Sequence, residues 1–220
     1  MEHELFPTDL CAAFEQRAQV QRLRKDQMVV GEGTDATEVY LIQSGRVQFS
    51  LVSIHGRELI LRDFGPGHIF GELAAIDGLP RSASAVALED CLVARMSGPA
   101  FVNFLGEVPR AGLWMAQQLA RRVRDLTNRT FELATLPVAA RLQTELLRLA
   151  LAGEQPSIDR AVIRPLPTHA DLAARIGTRR EAVSRELSNL AHEGLVVQSG
   201  RALEILSLAR LRTLLDRLSR

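Results

Sequence analysis

Cysteine is scarce in this 220-residue chain: Cys11 and Cys91 stand 80 positions apart, which makes neither a disulfide framework nor a metal knuckle. Long apolar runs are missing as well, and nothing approaches the roughly 18 residues of a membrane span. The opening MEHELFPTDL is acidic where a secretory leader would be basic and then apolar. A cytoplasmic protein with no membrane partner is the expectation. A charge excess of one sign is also lacking, since 27 Lys and Arg against 26 Asp and Glu leave +1. With 46% hydrophobic and 24% charged residues, the chain has a globular balance that excludes disordered, collagenous and low-complexity classes. No repeat of fixed period is visible, and the length suits two compact units.

Dividing the chain makes its charge informative. From Val138 to Arg220 there are 13 arginines, no lysine and 9 acids, a surplus of four positive charges; the remainder carries 14 bases and 17 acids. A basic C-terminal third beside an acidic remainder suggests that one part meets a polyanion and the other does not.

Residues 20–105 read as β structure. Val39-Tyr40-Leu41-Ile42 is a buried strand run, Ser44-Gly45 a turn, and Val47-Gln48-Phe49-Ser50-Leu51 an alternating strand. His55-Gly56 separates it from Leu59-Ile60-Leu61 as a hairpin turn would, and Ala85–Leu88 and Cys91–Ala94 supply further strands. Gly31, Gly33, Gly65, Pro66, Gly67, Gly71 and Gly78 punctuate the stretch. Short strands with close-set turns predict a small barrel or sandwich.

After Pro109 the pattern turns helical. Ala116, Leu119, Val123, Leu126, Thr130 and Leu133 occupy alternating a and d positions of a heptad. Arg121, Arg122, Arg124, Asp125, Asn128, Arg129 and Glu132 lie between them and are expected to face water. So narrow a seam favours a partner helix over a broad face on the chain's own core. A homodimer is expected, with Leu119, Val123, Leu126, Thr130 and Leu133 at its interface. Pro137 makes a hinge. A second helix over 139–151 precedes the polar stretch 153–157, read as a linker. Helices over 169–176 and about 179–193 then flank Gly177, Gly194 ends the second, and a short β pair, 195–197 and 202–205, follows around Ser199-Gly200. This order is a winged helix-turn-helix.

Within it, Leu172, Ala173, Ile176, Val183, Leu187 and Leu190 are the expected core, and Thr178 is the expected cap of the second helix. Arg180, Glu181, Ser184 and Arg185 group on that helix's N-terminal outward face, where a recognition helix meets base edges in the major groove. Arginine bonds bidentately to guanine O6 and N7, and a carboxylate accepts from cytosine N4. The segment resembles the helix-turn-helix of the CRP/FNR superfamily of bacterial transcription regulators. Arg180-Glu181-x-x-x-Arg185 looks like the signature of the catabolite activator protein branch, which implies a TGTGA half-site. Ser184 adds the E-x-x-S-R spacing of the FNR branch and leaves a TTGAT-like half-site open. Thr168, Arg175 and Arg179 are expected to contact phosphates, which set register rather than sequence.

A second motif runs Phe70-Gly71-Glu72-Leu73-Ala74-Ala75-Ile76-Asp77-Gly78-Leu79-Pro80-Arg81-Ser82-Ala83-Ser84-Ala85. It offers a glycine for close backbone approach, an acid, a short apolar helical turn, an arginine and hydroxyls. An arginine fork with helix N-terminal amides hosts a phosphate charge, while a carboxylate beside phosphate must address something else, such as a ribose hydroxyl. The stretch is similar to the phosphate-binding cassette of cyclic-nucleotide-binding domains. That resemblance implies that Glu72 binds the ribose 2′-OH and that Arg81 binds the cyclic phosphate. Ser82 and the backbone at Gly71 and Ala83 would help, with Leu73 in the same segment. Counting along the long helix puts Leu126 and Thr127, or with a shift of one residue Thr127 and Asn128, where relatives contact the adenine. The effector is expected to be a cyclic nucleotide, cAMP favoured and cGMP open, with no metal.

The resemblance spans essentially the whole chain. It implies an α+β fold: an antiparallel β-roll of the double-stranded jelly-roll type over 1–108, a dimerisation helix over 109–136, and a winged helix-turn-helix over 137–220. The function it implies is a ligand-gated regulator that binds a palindromic double-stranded DNA site and works with RNA polymerase. The alternative is a relative sensing haem, a gas or a redox signal, or binding DNA without ligand. His68 is the histidine placed for haem, although a turn role suits it better. No N-terminal cysteine cluster speaks for an iron–sulfur sensor, and Cys91 reads as core. Gly65-Pro66-Gly67-His68-Ile69-Phe70-Gly71 misses the dinucleotide fingerprint by one position, and no nucleophile elbow is present, so an enzyme is not expected.

Overall fold

The computed structural model describes residues 5–152 and 154–218 and falls into two compact units, dividing between Arg124 and Asp125. In the first unit, α1 (Thr8–Glu15) leads into β1 (Gln19–Leu23), β2 (Met28–Val30), β3 (Val39–Ser44), β4 (Val47–Val52), β5 (Glu58–Phe64) and β6 (Ile69–Phe70). A short helix, α2 (Glu72–Asp77), precedes β7 (Ser84–Ala87) and β8 (Cys91–Met96). The strands form two antiparallel four-stranded sheets, ordered β1-β8-β3-β6 and β2-β7-β4-β5. The short strands and close-set turns predict a small barrel or sandwich, and these two sheets are the antiparallel roll that the resemblance implies.

Period-two geometry explains how one strand serves two cores. In β3, Tyr40 and Ile42 join Val47, Phe64, Phe70 and Val93 between the sheets. Val39 and Leu41 point the other way, into a helical layer containing Phe6, Phe14, Phe101, Phe104 and Trp114. That layer is built by α1, α3 (Gly98–Glu107) and the start of α4 (Pro109–Thr135). Pro109 begins α4 because a first-turn proline sacrifices no helical hydrogen bond.

The second unit takes in the rest of α4. Its further elements are α5 (Val138–Ala152), β9 (Glu154–Ser157), β10 (Arg160–Ile163), α6 (His169–Ile176), α7 (Arg180–His192), β11 (Val196–Ser199), β12 (Ala202–Ile205) and α8 (Leu208–Leu218). The stretch expected to be a linker is largely a strand: β9 pairs with β10, Arg160 opposite Ser157 and Val162 opposite Glu154. Backbone groups make that ladder, and β9 is an edge strand of β11-β12-β10-β9, where polar residues and Pro156 are tolerated. Gly153 of that stretch lies outside the described residues. All six expected core residues between the helices are buried, with Leu142 and Leu146 of α5 and Leu208 and Leu211 of α8 closing the same core.

Along α4, Val123 and Leu126 are 63% and 50% exposed. Thr130 is exposed, and Leu119 and Leu133 are half-buried. The seam expected for a partner helix is therefore largely solvent-facing on the single chain.

Candidate functional site

The motif from Gly71 to Ala85 is organised around Arg81. Its guanidinium donates from Nη1 to the Gly71 carbonyl at 2.8 Å and from Nη2 to the Glu38 carbonyl at 2.7 Å, with the Glu38 carboxylate 3.7 Å away. Arg81 is 4% exposed, and its buried Nε has no acceptor among the described residues. Burial pushes its pKa down from the ordinary guanidinium value, against the pull of Tyr40, Glu38 and Glu72. Glu38 goes the other way: its own backbone N–H and Arg95 hold its carboxyl below the usual range. Gly71 is required here twice over. Its φ is +84°, and a side chain would come within 2.6 Å of both the Arg81 guanidinium and the Glu38 carbonyl.

Glu72, the first residue of α2, is 2% exposed. It is ion-paired with Arg122 of α4. Arg122 also donates to the Ile69 carbonyl at 3.2 Å and stacks its guanidinium 5.5 Å from the centre of the Phe64 ring. The sequence reading left Arg122 to solvent and missed this pair. A buried carboxylate needs a cation, which is the signal that could have found one, but spacing alone does not reveal which arginine supplies it. Leu73 and Ser82 are exposed and Ala83 is half-buried. Thr127 and Asn128 are exposed on the part of α4 that belongs to the second unit. His68 is stacked on Phe64 at 4.7 Å with Nδ1 3.0 Å from the Gly65 carbonyl, a turn arrangement.

In the second unit, α6 starts with a reciprocal cap. The Thr168 hydroxyl accepts from the Asp171 N–H at 3.1 Å, and the Asp171 carboxylate accepts from the Thr168 N–H at 3.0 Å. The helix stops at Gly177, φ +63°, where a side chain would press within 3.2 Å of Leu133. Thr178 does not cap α7 as expected. Its N–H donates to the Ala173 carbonyl at 2.9 Å, and α7 begins after Arg179, which makes no side-chain cap. Arg179, Arg180, Glu181 and Arg185 are exposed together around the N-terminal half of α7. Ser184 is half-buried, its Oγ 2.7 Å from Nδ1 of His169.

Arg175 departs from the phosphate role expected of it. It is 8% exposed and pairs with Glu145 of α5 at 3.6 Å, because the last turn of α6 faces inward. Arg129 and Glu132, also expected in water, belong to the same cluster: Arg129 donates to the Arg175 carbonyl at 2.5 Å, and Glu132 pairs with Arg148 at 2.5 Å. Arg141 donates to the Ile176 carbonyl at 2.6 Å. Cations from α4 and α5 thus satisfy the carbonyls left over at the C-terminus of α6.

Residues 20–107 match the cyclic nucleotide-binding domain family, and residues 140–214 match the Crp-like helix-turn-helix domain. The chain is 31% identical over 184 residues to a CRP-like cAMP-activated global transcriptional regulator of Mycobacterium tuberculosis, covering 83% of this chain and 82% of that one. It is 35% identical over 165 residues to the cyclic AMP receptor protein of Thermus thermophilus, covering 75% and 73%. Among solved structures, a CooA variant from Carboxydothermus hydrogenoformans shares the fold with a TM-score of 0.80 at 22% identity, over 97% of this chain and 98% of that one. With an effector roll and a helix-turn-helix unit in this order, and with relatives of this similarity, the chain belongs to the CRP/FNR family of transcription regulators.

Proposed function

We propose that the protein is a homodimeric, sequence-specific DNA-binding regulator gated by a cyclic nucleotide, with cAMP the favoured effector and cGMP the competitor. The observation that carries the effector is the Arg81 guanidinium: buried, clamped by two carbonyls and left with an Nε–H that has no acceptor among the described residues. A cyclic phosphate oxygen supplies that acceptor and a compensating charge. Arg122 meets Oε1 of Glu72, so Oε2 is the oxygen proposed for a ribose hydroxyl. Ser82 and the backbone at Gly71 and Ala83 complete the phosphate contacts, and Thr127 and Asn128 remain the candidates for the base. Both relatives named above carry cAMP in their names, which supports adenine over guanine.

For DNA, the exposed Arg180, Glu181 and Arg185 are proposed to read base edges, and Arg179 to hold phosphate. Two such helices about 34 Å apart in a dimer would read a palindrome. The exposed Val123 and Leu126 support α4 as the dimer seam. Contact with RNA polymerase and work in the cytoplasm accompany this reading. The test is fluorescence anisotropy with a labelled TGTGA-N6-TCACA duplex at fixed salt, without nucleotide, with cAMP and with cGMP. Tightening by cAMP is expected, about 5- to 150-fold for an ordinary coupling. Binding indifferent to both nucleotides would remove the gating, and no binding would remove the half-site.

A further inference from the structure

Ser184 stands one helical turn beyond Arg180 on α7, so the two side chains share a face. Its Oγ lies 2.7 Å from Nδ1 of His169, the first residue of α6. This hydrogen bond joins the two helices of the motif at their DNA-facing starts. The ring is not needed as a cap, because Thr168 and Asp171 cap α6 between them. Nε2 of His169 has no partner among the described residues.

A neutral imidazole carries one N–H and one lone pair, and a hydroxyl can donate one proton while accepting others. The position of the ring proton therefore decides what Ser184 can offer to DNA. With the proton on Nδ1, the ring donates to Oγ and the Ser184 O–H is free to donate outward. With the proton on Nε2, Nδ1 accepts the Ser184 O–H, and Oγ presents only lone pairs. Residues in the first turn of such a helix lie beside the phosphate backbone. A phosphate oxygen can only accept, so at Nε2 it selects the second tautomer.

We propose that His169 is a positioning residue for base readout: it turns the Ser184 hydroxyl inward, so that Ser184 accepts from an exocyclic amino group, adenine N6 or cytosine N4, in the major groove. This rests on the reading that α7 lies in that groove. Serine on its own has no preferred polarity toward bases; His169 supplies one.

The experiment measures anisotropy of the full-length protein, with and without cAMP, on the TGTGA-N6-TCACA duplex and on every single-base-pair change made symmetrically in both half-sites. Ser184→Ala should flatten the preference at one base pair, lowering discrimination there about five-fold, the worth of one hydrogen bond. His169→Ala should flatten the same base pair by a similar factor, and the double variant should be no flatter than either. His169→Asn should retain the preference, because its amide oxygen can accept the hydroxyl near the Nδ1 position. Thermal melting checks that each variant folds. Uniform weakening across all duplexes by His169→Ala, flattening at a different base pair, effects that add to those of Ser184→Ala, or an unchanged profile for Ser184→Ala would each overturn the relation. A wild-type protein that distinguishes none of the duplexes would instead overturn the groove assignment beneath it.

Discussion

Arg122 and Glu72 pair the long helix with the cassette: one ion pair binds α4 to the start of α2, with Glu72 buried and Arg122 bracketed by the Ile69 carbonyl and the Phe64 ring. In the proposed mechanism a ribose hydroxyl reaches the same carboxylate. Effector and long helix would then share one group, and any difference in how two conformations hold that group appears as coupling.

Removing one member of this pair leaves a buried charge alone. Arg122→Gln should destabilise the protein by about 3 kcal/mol, while Glu72→Gln/Arg122→Gln together should recover a large part of that loss. Denaturant titration of the two single variants and the double variant measures it. Additive losses would mean that the two residues do not depend on each other.

Arg81→Lys keeps a positive charge but loses the fork that spans the Gly71 and Glu38 carbonyls and the Nε–H proposed to meet a phosphate oxygen. Calorimetric affinity for cAMP should fall by about 2 kcal/mol or more, the range of a charged hydrogen bond, while the protein still dimerises. An unaltered affinity places the phosphate elsewhere.

On α7, Arg180→Ala or Arg185→Ala should each cost about 1–3 kcal/mol of specific binding and relax one base position, whereas Arg179→Ala should weaken all sequences alike and lower the salt dependence. A selection from randomised duplexes separates these outcomes. An Arg180→Ala protein with its sequence preference intact would remove α7 from the major groove.

Leu126 is half exposed in the middle of the seam. Placing a carboxylate there should oppose association, so Leu126→Asp should halve the mass seen by light scattering at micromolar concentration. A dimer mass that persists would assign the interface to another surface.

Burial pushes the His68 imidazole below its ordinary value of 6.5, with the Gly65 and Pro66 carbonyls working against the shift. The unfolded chain therefore takes up this proton before the folded chain does, and stability is lost as pH falls below about 6.5. His68→Gln should flatten the stability–pH curve in the window just below about pH 6.5, relative to wild type. Parallel curves for the two proteins in that window would contradict the shift.

Much of this molecule is legible along the chain because it depends on local chemistry. The buried strand run Val39–Ile42, the glycine between α6 and α7 and the exposed group on α7 follow from apolar patterning, backbone freedom and helix geometry. Thr168 and Thr178 mark the boundary of such reasoning: both are good caps by residue type, but α7 begins after Arg179 and only Thr168 caps a helix. Polar composition likewise reads 153–157 as a linker, although a neighbouring edge makes residues 154–157 a strand.

What sequence determined here is therefore the order of elements, the family and the residue types gathered in the cassette and on the recognition helix. Tertiary structure decided which charge meets which. Arg122, Arg129 and Arg175 look alike in sequence, each an arginine on an amphipathic helix, yet they pair respectively with Glu72, with the carbonyl at the end of α6 and with Glu145. A long flexible cation can serve any acceptor within its reach. Only packing, which fixes the distance and the loss of water at each site, selects among them.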